Sequence, residues 1–199
     1  MKETQNVYKV YDKIASWFDK NRGQDLMEKA YLDFIIQSIP KQSHVLDLGC
    51  GTGKPILSYL LQHNMQVTAV DASKAILDIA KANFPDTEFI LEDMRKLDLD
   101  RKYDALIAWH SFFHLSQDDQ KEMFPIFKKH LKPRGFLLFT AGPDAGEAWG
   151  TLDGEHVYHA SLSPQKYQSL LEEHGFQIIR QKMEDPDCGN ACIWLAQLQ

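Results

Sequence analysis

The sequence predicts an α/β fold, a three-layer αβα sandwich built on a mostly parallel sheet. Two observations lead to this prediction. Short apolar runs typical of buried strands alternate with segments in which apolar residues recur at helical spacing. The links between these segments are short, as expected where helices cross over between neighbouring strands and cover both faces of a sheet.

The elements follow in order along the chain. Two helices form a predicted N-terminal helical cap over residues 1–40, and strands then alternate with helices up to residue 141. After residue 160 the order changes to one helix, with Ser161 or Ser163 as N-cap and Gly175 as stop, and two strands whose short link predicts a hairpin. The predicted helices are 8–18, 25–39, 55–63, 74–83, 117–131 and 163–174, and the predicted strands are 44–48, 66–70, 87–91, 103–109, 136–141, 176–183 and 191–197.

Composition is typical of a single globular domain, which we predict to span residues 1–199. The net charge of −6, without a Lys/Arg cluster, argues against a nucleic-acid partner. The first residues do not resemble a secretory signal, and no apolar stretch approaches the roughly 20 residues of a membrane span. The 3 cysteines lack the spacing of a disulfide framework. We therefore expect a cytoplasmic protein that does not bind membranes.

A glycine loop follows the first sheet strand. Gly49, Gly51 and Gly53 stand at alternate positions, where glycine lets the chain turn sharply and lets a ligand approach closely. Ligands of open parallel sheets bind at this end of the strands. The spacing is not that of a P-loop, because Gly53-Lys54 lacks the earlier glycine and the following Ser/Thr. It also departs from the G-x-G-x-x-G of dinucleotide sites, which disfavours a nicotinamide oxidoreductase.

Acidic residues stand at the ends of three successive strands. Asp47 suits a cationic ligand without a pyrophosphate, and Asp71 is placed to accept hydrogen bonds from a ribose diol. Asp93 is placed for the exocyclic amine of an adenine, with the N–H of Met94 on a ring nitrogen and Ile76 and Met94 on either side of the ring. Taken alone, Asp71 fits a helix N-cap equally well, and Asp93 fits a solvated loop acid. Their common placement favours ligand binding.

These motifs together resemble those of class I S-adenosylmethionine-dependent methyltransferases. VLDLGCGTG resembles the first motif of that family, Val70-Asp71 the second and Glu92-Asp93-Met94 the third, while YDALIAWHSFFHL and LKPRGFLLFT resemble the segments around strands four and five. The similarity covers roughly residues 8–141. It implies a seven-stranded sheet of order 3-2-1-4-5-7-6 with strand 7 antiparallel, S-adenosyl-L-methionine as cofactor and S-adenosyl-L-homocysteine as product.

The resemblance also implies which residues contact the cofactor. Tyr11 is expected to close over it from the N-terminal helix, and Arg22 is a weaker candidate for binding its carboxylate. Cys50 is interpreted as a small buried residue of the loop. The implied cofactor-binding residues are Asp47, Gly49, Cys50, Gly51, Gly53, Asp71, Ala72, Ile76, Asp93, Met94, Trp109 and Tyr11.

The catalytic group is less well defined. Methyl transfer from a sulfonium is an in-line displacement that depends largely on orientation and desolvation, and a base is needed only if the acceptor must lose a proton. His110 and His114, after strand four, are candidates for a base or for holding an acceptor hydroxyl, although His114 fits a packed residue bonded to the backbone equally well. The pairs His110/His114 and His156/His159 lack completing metal ligands, so we predict no metal.

A long glycine-rich segment, residues 142–160, is predicted to be a loop on the substrate side. It carries Trp149, His156 and Tyr158, which together with Trp17 of the cap are expected to line the acceptor pocket. A disordered surface loop is the alternative interpretation. The aromatic character favours a small, partly apolar acceptor.

The leading hypothesis is therefore a methyltransferase acting on a small molecule by in-line transfer. A protein methyltransferase is one alternative, and a protein that binds S-adenosylmethionine without turnover is another. The [D/N]-P-P-[Y/F] motif of amino-methyltransferases of nucleic acids and glutamine is absent, because the chain reads Ala108-Trp109-His110-Ser111 there. The sequence is compatible with a monomer or a homodimer.

Overall fold

A computed structural model describes residues 6–23 and 25–199 of the chain. Helices and strands alternate through its first two thirds, as the apolar periodicity predicts. The helices are α1 (Tyr8–Asn21), α2 (Lys29–Ser38), α3 (Ile56–Gln62), α4 (Lys74–Asn83), α5 (Gln117–His130) and α6 (Pro164–Glu173). The strands are β1 (His44–Leu48), β2 (Gln66–Asp71), β3 (Glu88–Leu91), β4 (Tyr103–Ala108), β5 (Leu131–Ala141), β6 (Gly146–Leu152), β7 (Glu155–Ser161), β8 (Phe176–Asp185) and β9 (Ala191–Leu198).

The main sheet has seven strands in the order β3-β2-β1-β4-β5-β9-β8. Strands β1 to β5 pair in parallel, whereas β9 is antiparallel to both β5 and β8. The strands β6 and β7 form a separate sheet of two strands. When these two are left out of the numbering, the order is 3-2-1-4-5-7-6 with the seventh strand antiparallel. The predicted α/β class is confirmed.

The central strands are buried on both faces, which explains their continuous apolar runs. In β1, every residue after His44 is buried, and in β4 only Asp104 is partly exposed. Two apolar clusters result, one on each side of the sheet. The first includes Phe112, Phe124, Phe139 and Trp194, and the second includes Leu32, Ile35, Leu57, Leu60 and Leu138.

Some predicted boundaries were wrong. The helix predicted over 25–39 begins only at Lys29, because residues 25–28 form turns and Glu28 is the N-cap. The strand predicted to begin at 136 begins at Leu131, which already pairs with Tyr103 of β4. An irregularity in this pairing and a positive φ of 65° at Arg134 absorb the Lys-Pro-Arg-Gly segment that the sequence analysis treated as a break.

Residues 142–160 do not form the predicted loop. They contain β6 and most of β7, which pair in register from Gly146 opposite Ser161 to Leu152 opposite Glu155. The connecting residues Asp153 and Gly154 have φ angles of 48° and 77°. An Asp-Gly pair with positive φ at both positions is the preferred two-residue hairpin turn, and it is the signal that the composition of the segment obscured.

The helix α1 packs across the carboxyl-terminal side of the sheet. Val7 joins Val157, Tyr158 and Ala160 of β7 in a small apolar cluster. Asp12 Oδ1 accepts hydrogen bonds from the Ser73 hydroxyl at 2.7 Å and from the Ala75 N–H at 3.1 Å, at the start of α4. The cap is thus attached to both the hairpin and α4. No helix in the described ranges 6–23 and 25–199 combines the length and apolar character of a membrane span.

Gln120 supports a stability prediction. It is fully buried in α5, donates to the carbonyls of Leu115 and Ala160, and accepts from the Tyr167 hydroxyl. Replacement Gln120→Ala leaves these groups without partners, so we expect the free energy of unfolding to fall by about 2–4 kcal/mol in urea titrations. Gln168→Ala, on the exposed face of α6, is the control and is expected to change it by less than about 0.5 kcal/mol. A loss for Gln120→Ala no larger than the control would contradict this account.

Candidate functional site

A cleft of about 1000 Å³, partly open to solvent, lies beyond the carboxyl ends of β1, β2, β3 and β4. The N-terminal helix α1 covers it. This is where ligands bind in open parallel sheets, because the strand ends and the following helix starts converge there. The residues that line it are Val7, Tyr8, Tyr11, Phe18, Arg22, Asp47, Gly49, Cys50, Gly51, Lys54, Ile56, Val70, Asp71, Ala72, Ile76, Glu92, Asp93, Met94, Arg95, Trp109, His110, Ser111, His114 and Leu115.

The glycine loop forms the floor of the cleft. Gly49 has a φ of 73°, and a Cβ on it would stand 2.3 Å from the Ser111 Cβ. Gly51 has a φ of 58°, a conformation that favours glycine, and a Cβ on it would contact the Phe18 ring of α1 at 3.5 Å. A Cβ on Gly53 would meet Phe84 at 2.7 Å, and Gly53 does not line the cleft. Gly53 is therefore required for packing between the loop and α4.

Asp47 is a buried acid with an unused oxygen. Asp47 is the second-last residue of β1 and is 2% exposed. Its Oδ2 has no hydrogen-bond partner among the described residues. Burial raises the pKa of Asp47 to about 7, and the negative charge of Asp71 adds to the shift. A carboxylate in this position is stabilised by a cationic ligand that supplies the missing donor.

Asp71 lies at the end of β2 and orders the loop next to it. Its Oδ1 accepts from the Ser73 N–H at 2.9 Å, and its Oδ2 accepts from the Gly51 N–H at 3.1 Å. The N-cap of α4 is Ser73, which accepts from the Ile76 N–H, so the N-cap role considered for Asp71 belongs to its neighbour. Burial raises the pKa of Asp71 to about 6, opposed by these N–H groups.

Asp93 is held by an arginine that the sequence analysis did not single out. Arg95 Nε lies 2.9 Å from Asp93 Oδ1, and Nη2 lies 2.5 Å from Oδ2. A third guanidinium nitrogen, Nη1, reaches Asp119 Oδ2 of α5 at 3.0 Å. Although burial alone would raise the pKa of Asp93, Arg95 lowers it below the usual value. Only the acid–x–basic spacing in the sequence hinted at this pair.

Tyr11 and His114 close one side of the cleft. The Tyr11 hydroxyl lies 2.9 Å from His114 Nε2, and His114 Nδ1 lies 2.9 Å from the Tyr158 carbonyl oxygen. Because a carbonyl only accepts, Nδ1 carries the proton, Nε2 accepts, and Tyr11 is the donor. Burial lowers the pKa of His114 to about 3 and raises that of Tyr11 to about 12, so both stay neutral.

His110 lines the cleft beside Trp109, on which its ring stacks at 5.3 Å between centroids. Its backbone has a φ of 51°, which is uncommon for a residue other than glycine, and its N–H donates to Thr140 Oγ1 at 2.9 Å. Burial, followed by the charge of Arg22, lowers the pKa of His110 to about 4. A neutral imidazole, one donor and one acceptor, therefore faces the cleft at neutral pH.

The four residues predicted for the acceptor pocket, Trp17, Trp149, His156 and Tyr158, do not line the cleft. Trp149 is 51% exposed and packs against Tyr158, and His156 is exposed on the hairpin. Tyr158 is buried behind the wall of the cleft and reaches it only through its carbonyl bond to His114. All of the predicted cofactor-binding residues except Gly53 line the cleft.

The residues present fit S-adenosylmethionine. The unpaired oxygen of Asp47 suits its ammonium group, and Gly49 and Gly51 line the cleft next to it. The carboxylates of Asp71 and Asp93 are spaced along the neighbouring strand ends, as a nucleoside requires. Arg22, which lines the same cleft and whose Nε donates to the Lys54 carbonyl, supplies a cation for a ligand carboxylate.

Methyltransferases are among the known proteins that this chain resembles in sequence and in fold. A methyltransferase-domain profile matches residues 45–135. The demethylmenaquinone methyltransferase of Thermotoga maritima is 30% identical over an alignment of 216 positions, gaps included, that covers 89% of this chain and 90% of that one. An S-adenosyl-L-methionine-dependent Diels-Alderase of Neonectria sp. is 30% identical over 83% of this chain and 71% of its own. The CcbJ methyltransferase of Streptomyces caelestis superposes with a TM-score of 0.76 at 17% identity, over 98% of this chain and 99% of that one.

The fold and the cleft thus define an α/β protein whose cleft, with a buried acid, suits an adenosyl cofactor. The chain belongs to the class I S-adenosylmethionine-dependent methyltransferase family.

The burial of Asp47 leads to a prediction for the protein without ligand. A carboxyl whose pKa is raised by folding loses its stabilising proton as the pH rises through about 7, so its charge opposes folding above that pH. We expect Asp47→Asn to raise the melting temperature at pH 8, by about 2–4 °C for each kcal/mol recovered. The gain should shrink towards pH 5, where Asp47 is protonated in the folded state. Asp78→Asn, exposed on α4, is the control, and a lower melting temperature for Asp47→Asn at pH 8 would refute the assignment.

Proposed function

We propose that this protein transfers the methyl group of S-adenosyl-L-methionine to a small, largely uncharged molecule and releases S-adenosyl-L-homocysteine. The single observation that carries this proposal is the buried, unpartnered carboxylate oxygen of Asp47 beside the glycine loop in the cleft. Such an arrangement is costly unless a cation completes it.

The cofactor site runs along the strand ends. Asp47 would accept from the cofactor ammonium, and Arg22 would bind its carboxylate. The free sites of the Asp71 oxygens would accept from the ribose hydroxyls. At the other end, Asp93 would accept from the adenine amine, with Met94 and Ile76 against the ring.

When bound, the cofactor supplies an activated methyl group and a neutral leaving group. The protein's contribution is to orient the acceptor in line with that methyl and to exclude water. His110 is the group best placed to hold the acceptor, because its imidazole lines the cleft and its pKa of about 4 keeps the ring neutral and able to accept a hydrogen bond from an acceptor hydroxyl or amine. His114 is engaged by Tyr11 and Tyr158, so we assign it to positioning Tyr11.

The acceptor class follows from the groups around His110. The side chains of Trp109 and Leu115 are apolar, and Tyr11 and His114 are neutral at physiological pH. A small molecule with a hydroxyl or amine on a partly apolar frame fits these groups. The relative from Thermotoga maritima is named for demethylmenaquinone, which supports a small acceptor. A protein side chain fits less well, because α1 and its attachment to the hairpin cover the cleft.

Other features are part of the same proposal. Residues 1–199 would act as one catalytic domain, with residues 1–40 as its cap and the hairpin as its substrate-side wall. Cys50, Cys188 and Cys192 are free and buried thiols, which suits a cytoplasmic setting. The acidic net charge of −6 favours a small molecule over a nucleic acid as partner.

Calorimetry with the purified protein tests the cofactor assignment. We expect S-adenosylmethionine and S-adenosylhomocysteine to bind with micromolar dissociation constants, and NADH not to bind. Binding would justify a screen of acceptors with labelled methyl. Cofactor binding without turnover across phenols, quinols and amines would favour a non-transferring role, as the Diels-Alderase relative illustrates. Absence of binding by both adenosyl ligands would refute the proposal.

Asp71 provides a variant test of the same site. We expect Asp71→Ala to weaken S-adenosylhomocysteine binding by about 10- to 150-fold, because hydrogen bonds to a charged group contribute roughly 1.5–3 kcal/mol. Its melting temperature should confirm that the variant folds. Asp78→Ala on the outer face of α4 is the matched control, and unchanged affinity in a folded Asp71→Ala would disprove the ribose role.

A further inference from the structure

Asp93 is clamped by a single arginine within one short turn. The side chain of Arg95 approaches Asp93 edge-on, with Nε near Oδ1 and Nη2 near Oδ2, and the backbone N–H of Arg95 donates to Oδ1 at 3.0 Å. Both residues are mostly buried, with side-chain exposures of 22% and 16%. We call this pair the Arg95 clamp.

The clamp leaves Asp93 little remaining capacity to accept. A carboxylate offers about four acceptor sites, two on each oxygen. Three N–H groups of Arg95 take up three of these sites, because the backbone N–H bonds Oδ1, Nη2 bonds Oδ2, and the single Nε hydrogen is shared between Oδ1 at 2.9 Å and Oδ2 at 3.1 Å. About one acceptor site remains, and Asp93 lines the cleft. Asp93 is therefore set to accept one donor from a ligand.

The clamp is anchored to the body of the fold. Arg95 Nη1 binds Asp119 Oδ2 at 3.0 Å, and Asp119 lies in the first turn of α5, where its N–H is bonded to the N-cap Ser116. A guanidinium shared by two carboxylates in this way has a fixed plane, which a lysine would not provide. The orientation of Asp93 is thus set by α5 as well as by its own turn.

Next to the clamp stands a donor of opposite type. The Met94 N–H begins the turn and donates to none of the residues in the described ranges. The edge of the cleft therefore offers an acceptor on Asp93 and a donor on Met94, side by side. This pattern is complementary to the 6-amino group and the N1 acceptor of an adenine. It is mismatched with a 6-oxo purine, which presents an acceptor at O6 and a donor at N1.

We propose that Arg95, anchored by Asp119, fixes Asp93 as a single-site acceptor and thereby makes this protein select 6-amino purine ligands over 6-oxo ones. Arg95 and Asp119 are positioning residues in this proposal, because they act through Asp93. The proposal rests on the proposed function, since it assumes that the adenosyl group binds at this edge.

Two ligands that differ only at the purine 6-position provide the test. Dissociation constants of S-adenosyl-L-homocysteine and S-inosyl-L-homocysteine are measured by calorimetry, and their ratio is the readout. We expect the unmodified protein to prefer the adenosyl ligand by about 30-fold or more, because a mispaired polar group at a hydrogen-bonding site is strongly rejected. A general loss of fold or of ribose binding weakens both ligands alike and does not change the ratio.

Variants of Arg95 distinguish an effect of its fork geometry from an effect of its positive charge alone. In Arg95→Met, Asp93 can rotate or take up a proton and donate to O6, so we expect the ratio to fall below about 5-fold, mainly through weaker adenosyl binding. Arg95→Lys keeps the positive charge but not the planar fork of the guanidinium, so we expect the ratio of the two dissociation constants to fall nearly as far. Asp119→Asn should give an intermediate ratio. Lys96→Met removes the adjacent exposed cation and is the control, with an unchanged ratio.

The outcomes are distinguishable. Failure of the unmodified protein to bind S-adenosylhomocysteine would overturn the proposed function itself. Binding of S-adenosylhomocysteine with equal affinity for the inosyl ligand would overturn the clamp inference and leave the proposed function intact. The same conclusion follows if folded Arg95→Met and Arg95→Lys, checked by thermal melting, keep the ratio of the unmodified protein.

Discussion

A carboxylate shielded from water, with one oxygen lacking a hydrogen-bond partner, opposes folding, and the end of β1 places Asp47 in that situation. The neighbouring strands fix it there, because β1 lies between β2 and β4 in the sheet. The rest of the cleft is arranged around this charge. The glycine loop passes beside it, Asp71 adds negative potential from the next strand, and the cap covers the cleft. The unpaired oxygen thus carries a desolvation cost that a cationic ligand would relieve.

The strands of the main sheet could be predicted from the sequence because each strand is indicated by residues that are close together in the chain. Buried parallel strands are read from short apolar runs, and the glycine loop from spacing. The final hairpin was also predicted, since its turn is short. The hairpin at 146–161 was missed because only two of its residues, Asp153 and Gly154, determine the turn, while the glycines and charges around them resemble a loop. The early start of β5 at Leu131 depends on pairing with Tyr103, a contact between segments distant in sequence.

Some residues of the candidate site could likewise be predicted from the sequence, and others could not. Residues at strand ends were placed in the cleft by the sequence, because parallel strands bring their carboxyl ends to one edge. Side chains on the hairpin were not, since His156 is exposed next to the turn, whereas Tyr158, further along the same face of β7, packs against Trp149 and is buried behind the wall. Arg95 was overlooked because an arginine beside an acid is common on surfaces. Its significance depends on Asp119, which approaches only after α5 has packed.

The hydrogen bonds that join Tyr11, His114 and the Tyr158 carbonyl run in one direction only. To reverse them, both nitrogens of His114 would have to carry a proton. Burial lowers the pKa of His114 to about 3, so this doubly protonated form is not populated at physiological pH. The phenolic proton of Tyr11 is therefore directed at His114 Nε2. The remaining lone pair of this oxygen can only accept, so this part of the wall attracts positively polarised hydrogen and repels lone pairs at physiological pH.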